Sequence, residues 1–396
     1  MASCASMSVV AVVLLVLAAA QPARADRACY TRVFSFGDSI TDTGNYRFVF
    51  TNDNGAHAPW PYGETYFHKA TGRSSDGRLI VDFIADALGL PFVPPYWGGH
   101  STEYFAGGAN FAVGGATALS PEFLRENGVP LATDSVHLDM EMDWFRDLLK
   151  QPNLLCPDDF TDCTNMMKKS LFLVGEIGGN DYNEPLLSEM PIEMVRNLTP
   201  SVVAKISATI TDLIGLGAKT LLVPGNLPIG CIPNYLMVFK SDKKEDYESE
   251  TGCLRLMNEF SKYHNRFLLD ELEKLRNLHS GVSIIYADYY GAAMEVYLSP
   301  KKFGIDFPLV ACCGGEGFYG VSATVRCGNG EYMLCDDPRK YGSWDGLHPS
   351  EAVYKVIANG LLRGSYTQPP IANSTNSCLQ LPETGSSDEE KVLYDL

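Results

Sequence analysis

A serine attacks an ester well only when a base takes its proton and fixed donors receive the developing oxyanion. One stretch of the chain offers such a serine. Arg32 to Phe36 reads as a buried strand that stops abruptly at Gly37-Asp38-Ser39. A small hydroxyl residue just past a strand end lies at the carboxyl rim of the sheet, where ligands bind in open α/β folds. The chain has seven histidines. His57, His68 and His100 fall in loops, and His264 and His279 read as helix-surface residues. His348 differs, because it sits in Trp344-Asp345-Gly346-Leu347-His348-Pro349 with a carboxylate three residues upstream. Across a tight turn Asp345 can reach the imidazole Nδ1, fix its tautomer and stabilise the imidazolium. Taken alone, the same spacing also suits a turn aspartate beside an incidental surface histidine.

Oxyanion donors are each worth roughly 3–4 kcal/mol of barrier. The candidates are the Ser39 N–H, the Gly115 N–H and the Asn180 side-chain amide. Glycine lets backbone approach a substrate closely. An asparagine in Gly178-Gly179-Asn180-Asp181 is otherwise a routine turn residue.

These residues need a frame. Further strands are expected at 110–115, 170–175, 220–223 and 282–286. Helices are expected from 76–78 to about 88, and over 138–149, 200–216, 252–278, 291–298 and 349–361. Pro349 suits the first turn of the last helix. Strands alternating with helices imply a mainly parallel sheet covered on both faces. Gly37-Asp38-Ser39, Gly114-Gly115 and Gly178-Gly179-Asn180 then fall at strand carboxyl ends, on one shared edge.

Four blocks occur in order: Gly37-Asp38-Ser39, Asn110-Phe111-Ala112-Val113-Gly114-Gly115-Ala116, Gly178-Gly179-Asn180-Asp181 and Asp345-Gly346-Leu347-His348-Pro349. In order and position they resemble the plant secreted GDSL esterases/lipases of the SGNH hydrolase superfamily. Thr71-Gly72-Arg73-Ser74-Ser75-Asp76-Gly77-Arg78, Pro224-Gly225-Asn226-Leu227-Pro228-Ile229-Gly230-Cys231 and Ala311-Cys312-Cys313-Gly314-Gly315 resemble the same group. The resemblance spans about residues 33 to 361. It implies a flavodoxin-like three-layer α/β/α fold and a carboxylic ester hydrolase. Carried over, Ser39 is the nucleophile, His348 the base and Asp345 its partner, with Ser39, Gly115 and Asn180 forming the oxyanion hole. Gly114 is the neighbouring alternative, but the spacing from Asn110 favours Gly115.

The N-terminus carries a short apolar run, Val9 to Ala20, then Ala23-Arg24-Ala25. The run is shorter than the about 20 residues a bilayer demands, and small-x-small marks a cleavage site. A signal peptide over 1–25, a single hydrolase domain over 26–365 and a C-terminal extension with an acidic tail over 366–396 are the expected division. No Lys or Arg precedes the apolar run, so an uncleaved Golgi-type anchor stays open beside secretion to the apoplast or wall.

Eleven cysteines, one of them in the leader, leave an even ten for an oxidising compartment. Local pairing suggests Cys156 with Cys163 and Cys231 with Cys253. Cys312, Cys313, Cys327 and Cys335 suggest two more bridges, and Cys29 and Cys378 a fifth. Asn197 and Asn373 open glycosylation sequons, the first followed by Pro200.

A net charge of −17 repels nucleic acid and strongly anionic substrates. Gly315-Glu316-Gly317-Phe318-Tyr319-Gly320 matches a dinucleotide motif but lies among cysteines with no strand expected before it. Neither Gly-x-Ser-x-Gly nor His-Glu-x-x-His occurs, and no cofactor or metal is expected. Trp60, Tyr62, Tyr96 and Trp97 suit either loop packing or a cleft rim. The partner is an ester: an acetylated wall polysaccharide, a small plant ester or a lipid. A short acyl group is preferred to a long one, and the same site could serve an acyltransferase with an alcohol acceptor.

Overall fold

The computed structural model describes residues 30–50, 58–129, 135–151, 153–156, 160–363 and 365–371. The expected signal peptide, the Cys29–Cys378 pair and Asn373 lie outside the described residues. Six strands form the main sheet: β1 (Arg32–Phe36), β2 (Gly108–Asn110), β3 (Ser170–Val174), β4 (Thr220–Pro224), β5 (Ser283–Ala287) and β10 (Thr367–Gln368). Their order is β10-β5-β4-β3-β1-β2. The first five are parallel, and β10 closes the edge antiparallel to β5. The sheet therefore runs to Gln368, past the 365 boundary expected from sequence.

Strand periodicity explains the layers, since successive side chains point to opposite faces. Phe34, Phe36, Phe172, Val174, Leu221 and Val223 face one core. The helices Leu138–Lys150, Thr199–Gly215 and Arg255–Leu278 cover it with Phe145, Ile206 and Leu268 among others. Val33, Leu171, Leu173, Leu222 and Ile285 face the second core, beneath Ile80–Ala87, Tyr289–Leu298 and Glu351–Leu362. Register sets Phe34 beside Phe172, their rings 5.4 Å apart. The result is the three-layer α/β/α arrangement.

Several bounds differ from the sequence reading, each for a local reason. The helix expected from 76–78 begins at Ile80, because Asp76 is drawn off to accept from the Glu351 N–H and the Thr65 hydroxyl. Asp82 instead accepts the Leu79 N–H and closes the first turn. The last helix starts at Glu351, after Ser350 rather than at Pro349. The strand expected at 110–115 is Gly108–Asn110, after which the chain leaves the ladder. The helix expected from 252 starts at Arg255, since Cys253 is bridged to Cys231.

A second lobe grows from the sheet edge between β5 and the last helix. It pairs β6 (Phe307–Ala311) with β9 (Tyr341–Ser343), and β7 (Cys313–Gly314) with β8 (Met333–Leu334). Cys312–Cys335 and Cys313–Cys327 staple it. Cys156–Cys163 and Cys231–Cys253 form as expected from their spacing. Among the described residues no helix is long and apolar enough to cross a membrane.

Beyond β1 the chain has no ladder partner, so its N–H groups need other acceptors. Asp42 is fully buried and supplies them. Its Oδ1 accepts from the Gly44 and Asn45 N–H groups at 2.6 Å each, and its Oδ2 from Tyr46 at 3.1 Å and Gly114 at 2.8 Å. Burial pushes its carboxyl up to about 6 against the pull of those donors. Asp42→Ala strands all four N–H groups, at ~1 kcal/mol or more each. Denaturant unfolding is expected to show a loss of about 4 kcal/mol, whereas an exposed control such as Asp242→Ala should change stability by less than about 0.5 kcal/mol.

Candidate active site

Gly37 ends β1 with φ +132, a conformation glycine tolerates at little cost. A Cβ there would stand 2.7 Å from the Glu176 carbonyl oxygen. The Gly37 N–H donates to buried Glu141 Oε2 at 2.8 Å, and its carbonyl accepts from Val113. The chain then curls at once, with the Thr41 and Asp42 N–H groups donating to the Asp38 carbonyl at 3.0 and 2.8 Å. Ser39 rides on this curl, 6% exposed.

His348 arrives from the far end of the chain. Gly346, at φ +94, turns the backbone so that the Asp345 carboxylate folds over the turn. Asp345 Oδ1 accepts from the Leu347 and His348 N–H groups at 2.9 and 2.8 Å. Asp345 Oδ2 lies 2.7 Å from His348 Nδ1, and His348 Nε2 lies 2.8 Å from Ser39 Oγ. The three side chains form one hydrogen-bonded line across 309 residues of sequence. With Nδ1–H given to Asp345, Nε2 is left to accept the serine proton.

Burial alone would push the His348 imidazolium down. The Asp345 charge and hydrogen bond, helped by the Asp38 charge, outweigh it and raise His348 above its ordinary 6.5. Burial opposes ionisation of Asp345 too, yet the His348 charge and three hydrogen bonds hold it well below the usual carboxylate range.

Two backbone N–H groups of the loops at this sheet edge have no acceptor among the described residues: those of Ser39 and Gly115. Gly115 sits at φ +79 with open space where a Cβ would point. The Gly114 N–H is instead bound to Asp42, which removes the alternative glycine as a free donor. Asn180 opens the helix Gly179–Leu187 rather than closing a simple turn. Its Nδ2 donates to Asp38 Oδ2 and to the Ala116 carbonyl, both at 3.0 Å. Asn180 thus reaches the same rim with both amide hydrogens engaged. Asp181 beside it is fully buried and accepts from the Ala118 and Leu119 N–H groups, tying this helix to the Gly115 loop.

A family model described as GDSL-like lipase/acylhydrolase matches residues 33–361. A GDSL esterase/lipase of Arabidopsis thaliana is 48% identical over 344 residues, covering 86% of this chain and 84% of the relative. The chain belongs to this family. The sinapine esterase of Brassica napus is 44% identical, covering 86% of this chain and 87% of its own length. Another Arabidopsis GDSL esterase/lipase is 47% identical, with 86% of each chain covered. The protein is accordingly a carboxylic ester hydrolase.

Other residues at the site were less legible in this family member. A cavity of about 40 Å³ opens at Ser39, walled by Glu176, Tyr182, Asn183, Ile229, Ile232 and Leu347. Glu176 follows β3 after Gly175 and is buried. Burial, the Asp38 charge and their mutual hydrogen bond push its carboxyl well above the usual range, while burial raises Asp38 to about 6. A charged residue two positions past an apolar strand was the available signal. His264, expected on a helix surface, is 1% exposed and pairs through Nδ1 with the Tyr182 hydroxyl at 2.9 Å. Burial pushes it down to about 4, so it backs the cavity wall as a neutral ring.

The geometry fixes the order of the histidine titrations. In an NMR pH titration His348 is expected to titrate above 6.5 and His264 far below it. Asp345→Asn removes the charge but keeps the burial, so the His348 midpoint should fall by more than about one unit. An unchanged midpoint would contradict the assigned electrostatics.

Proposed function

We propose that Ser39 is the acyl-accepting nucleophile of a short-chain esterase, with His348 as its base and Asp345 as the partner that holds the base. The observation that carries this reading is the continuous line from Ser39 Oγ through His348 to Asp345 Oδ2. As Ser39 Oγ bonds to the ester carbonyl carbon, its proton passes to His348 Nε2. The carbonyl oxygen takes the charge and meets the free Ser39 and Gly115 N–H groups. Asn180 joins them when the oxyanion, a stronger acceptor than a neutral carbonyl, displaces the Ala116 oxygen from one amide hydrogen. Collapse breaks the bond between the acyl carbon and the alkoxy oxygen, and His348 gives its proton to the departing alcohol. Water then attacks the acyl-enzyme, His348 again serving as base, and the carboxylic acid and free Ser39 are regenerated.

The cavity at Ser39 supports a short acyl group. Its about 40 Å³ has room for roughly three water-sized groups, which is the bulk of an acetyl and not of a fatty chain. A neutral acetylated wall polysaccharide suits the acidic protein surface. A relative named for sinapine favours a small plant ester as the second substrate class. Four disulfides among the described residues support folding in the secretory pathway, and Asn197 is exposed at the end of the helix Ile192–Arg196, where a glycan fits.

Ser39→Ala should lower hydrolysis of p-nitrophenyl acetate by about 10⁴-fold or more with the melting temperature unchanged. Full activity in that variant would exclude the nucleophile. For the unaltered enzyme, kcat/KM should rise with pH as His348 deprotonates, with its midpoint above 6.5. Between acetate and octanoate esters kcat/KM should fall by at least about tenfold. An equal or rising series would exclude the short acyl pocket.

A further inference from the structure

We infer that Tyr62 is a positioning residue of the Ser39–His348–Asp345 line, acting through Asp345; this rests on the nucleophile reading above. The Tyr62 hydroxyl donates to Asp345 Oδ2 at 2.7 Å, the same oxygen that pairs with His348 Nδ1 at 2.7 Å. With the Leu347 and His348 N–H groups on Oδ1, four donors meet one carboxylate. That saturation fixes both carboxylate oxygens in the plane the imidazole needs.

The phenol is itself held. Tyr62 is 8% exposed, and its ring meets the fully buried Trp344 edge-on, centroids 5.7 Å apart. Its N–H donates to the Pro59 carbonyl at 2.8 Å, and the next residue, Gly63, donates to Ser75 at 2.9 Å. Gly328, next to bridged Cys327, packs against Pro59 and the Trp60 carbonyl. Burial, then the Asp345 charge and hydrogen bond, push the phenol well above its ordinary range. It therefore stays a donor throughout the working pH range.

A donor on Asp345 Oδ2 draws off part of the negative charge that stabilises the His348 imidazolium. Tyr62 thus restrains the basicity of His348 while holding its partner still. The other groups facing this line are Asp38 toward His348, Tyr354 toward Asp345, and Arg326 toward Tyr62. Tyr62→Phe leaves all of them in place and removes one hydroxyl.

The test compares the unaltered enzyme, Tyr62→Phe, Ser39→Ala and the double variant. Tyr62→Phe should lower kcat on p-nitrophenyl acetate by about tenfold with KM changed by less than about twofold. The acid limb of its kcat/KM profile should move up by about half a pH unit. The His348 NMR titration, read without turnover in the Ser39→Ala background, should move up by the same amount when Tyr62→Phe is added. Unchanged near-UV circular dichroism and melting temperature would show that the fold is kept. Loss of fold would leave the NMR titration of any remaining native fraction as the deciding measurement. An unmoved His348 midpoint, or unaltered kcat and limb, would overturn the role of Tyr62 while Ser39→Ala stays inactive. Activity surviving in Ser39→Ala would instead overturn the nucleophile reading.

Discussion

Buried carboxylates that collect backbone N–H groups are the constraint on which this structure depends. A parallel sheet delivers its strands to one edge, and there each chain must leave the ladder with donors unpaired. Several of these donors instead meet buried carboxylates. Asp42 gathers four such groups from two loops. Glu141 reaches from a covering helix to the Gly37 N–H. Asp181 binds the loop that follows Gly115. These acids are costly to bury, yet they convert three irregular crossings into a rigid rim. Among the described residues the N–H groups of Ser39 and Gly115 at this edge have no acceptor, while those of Gly37, Gly114, Ala118 and Leu119 are satisfied by these acids.

Asp345 extends the same device to the other half of the site. Its carboxylate organises its own turn through two N–H groups and orients an imidazole with the remaining oxygen. The turn is gripped from outside as well. The Trp344 carbonyl accepts from Cys313, and the Gly346 carbonyl from Asn234 at the start of the helix Pro233–Val238. The two halves of the site meet where Ser39 Oγ lies 2.8 Å from His348 Nε2.

Much of this was legible because the signals were local. An apolar run ended by Gly37-Asp38-Ser39 gave β1 and its serine, and close spacing gave the Cys156–Cys163 and Cys231–Cys253 pairs, while the partners among Cys312, Cys313, Cys327 and Cys335 stayed open. Asp345 and His348 could be paired because a tight turn joins them. What stayed hidden depends on contacts between distant segments. No pattern around Tyr62 says that its hydroxyl ends on a carboxylate 283 residues away. His264 lies on a helix whose outer face is charged, and only the Tyr182 ring shows which side it takes. Helix starts slipped for the same reason: Asp76 resembles a cap in sequence but serves Glu351 across the fold. Asn180 was found by motif, while its resting partners, Asp38 and Ala116, come from two other loops.

The pair of bridges in the second lobe braces one side of the site covalently. Cys312 and Cys313 are neighbours, each locked to a different downstream cysteine, and the backbone between β7 and Trp344 hangs on them. Ser39 is placed by the sheet and its loops, whereas the turn that carries His348 is tied to a covalently stapled lobe. The two halves of the site are thus braced by different forces, burial and hydrogen bonds on the serine side and covalent cross-links on the imidazole side.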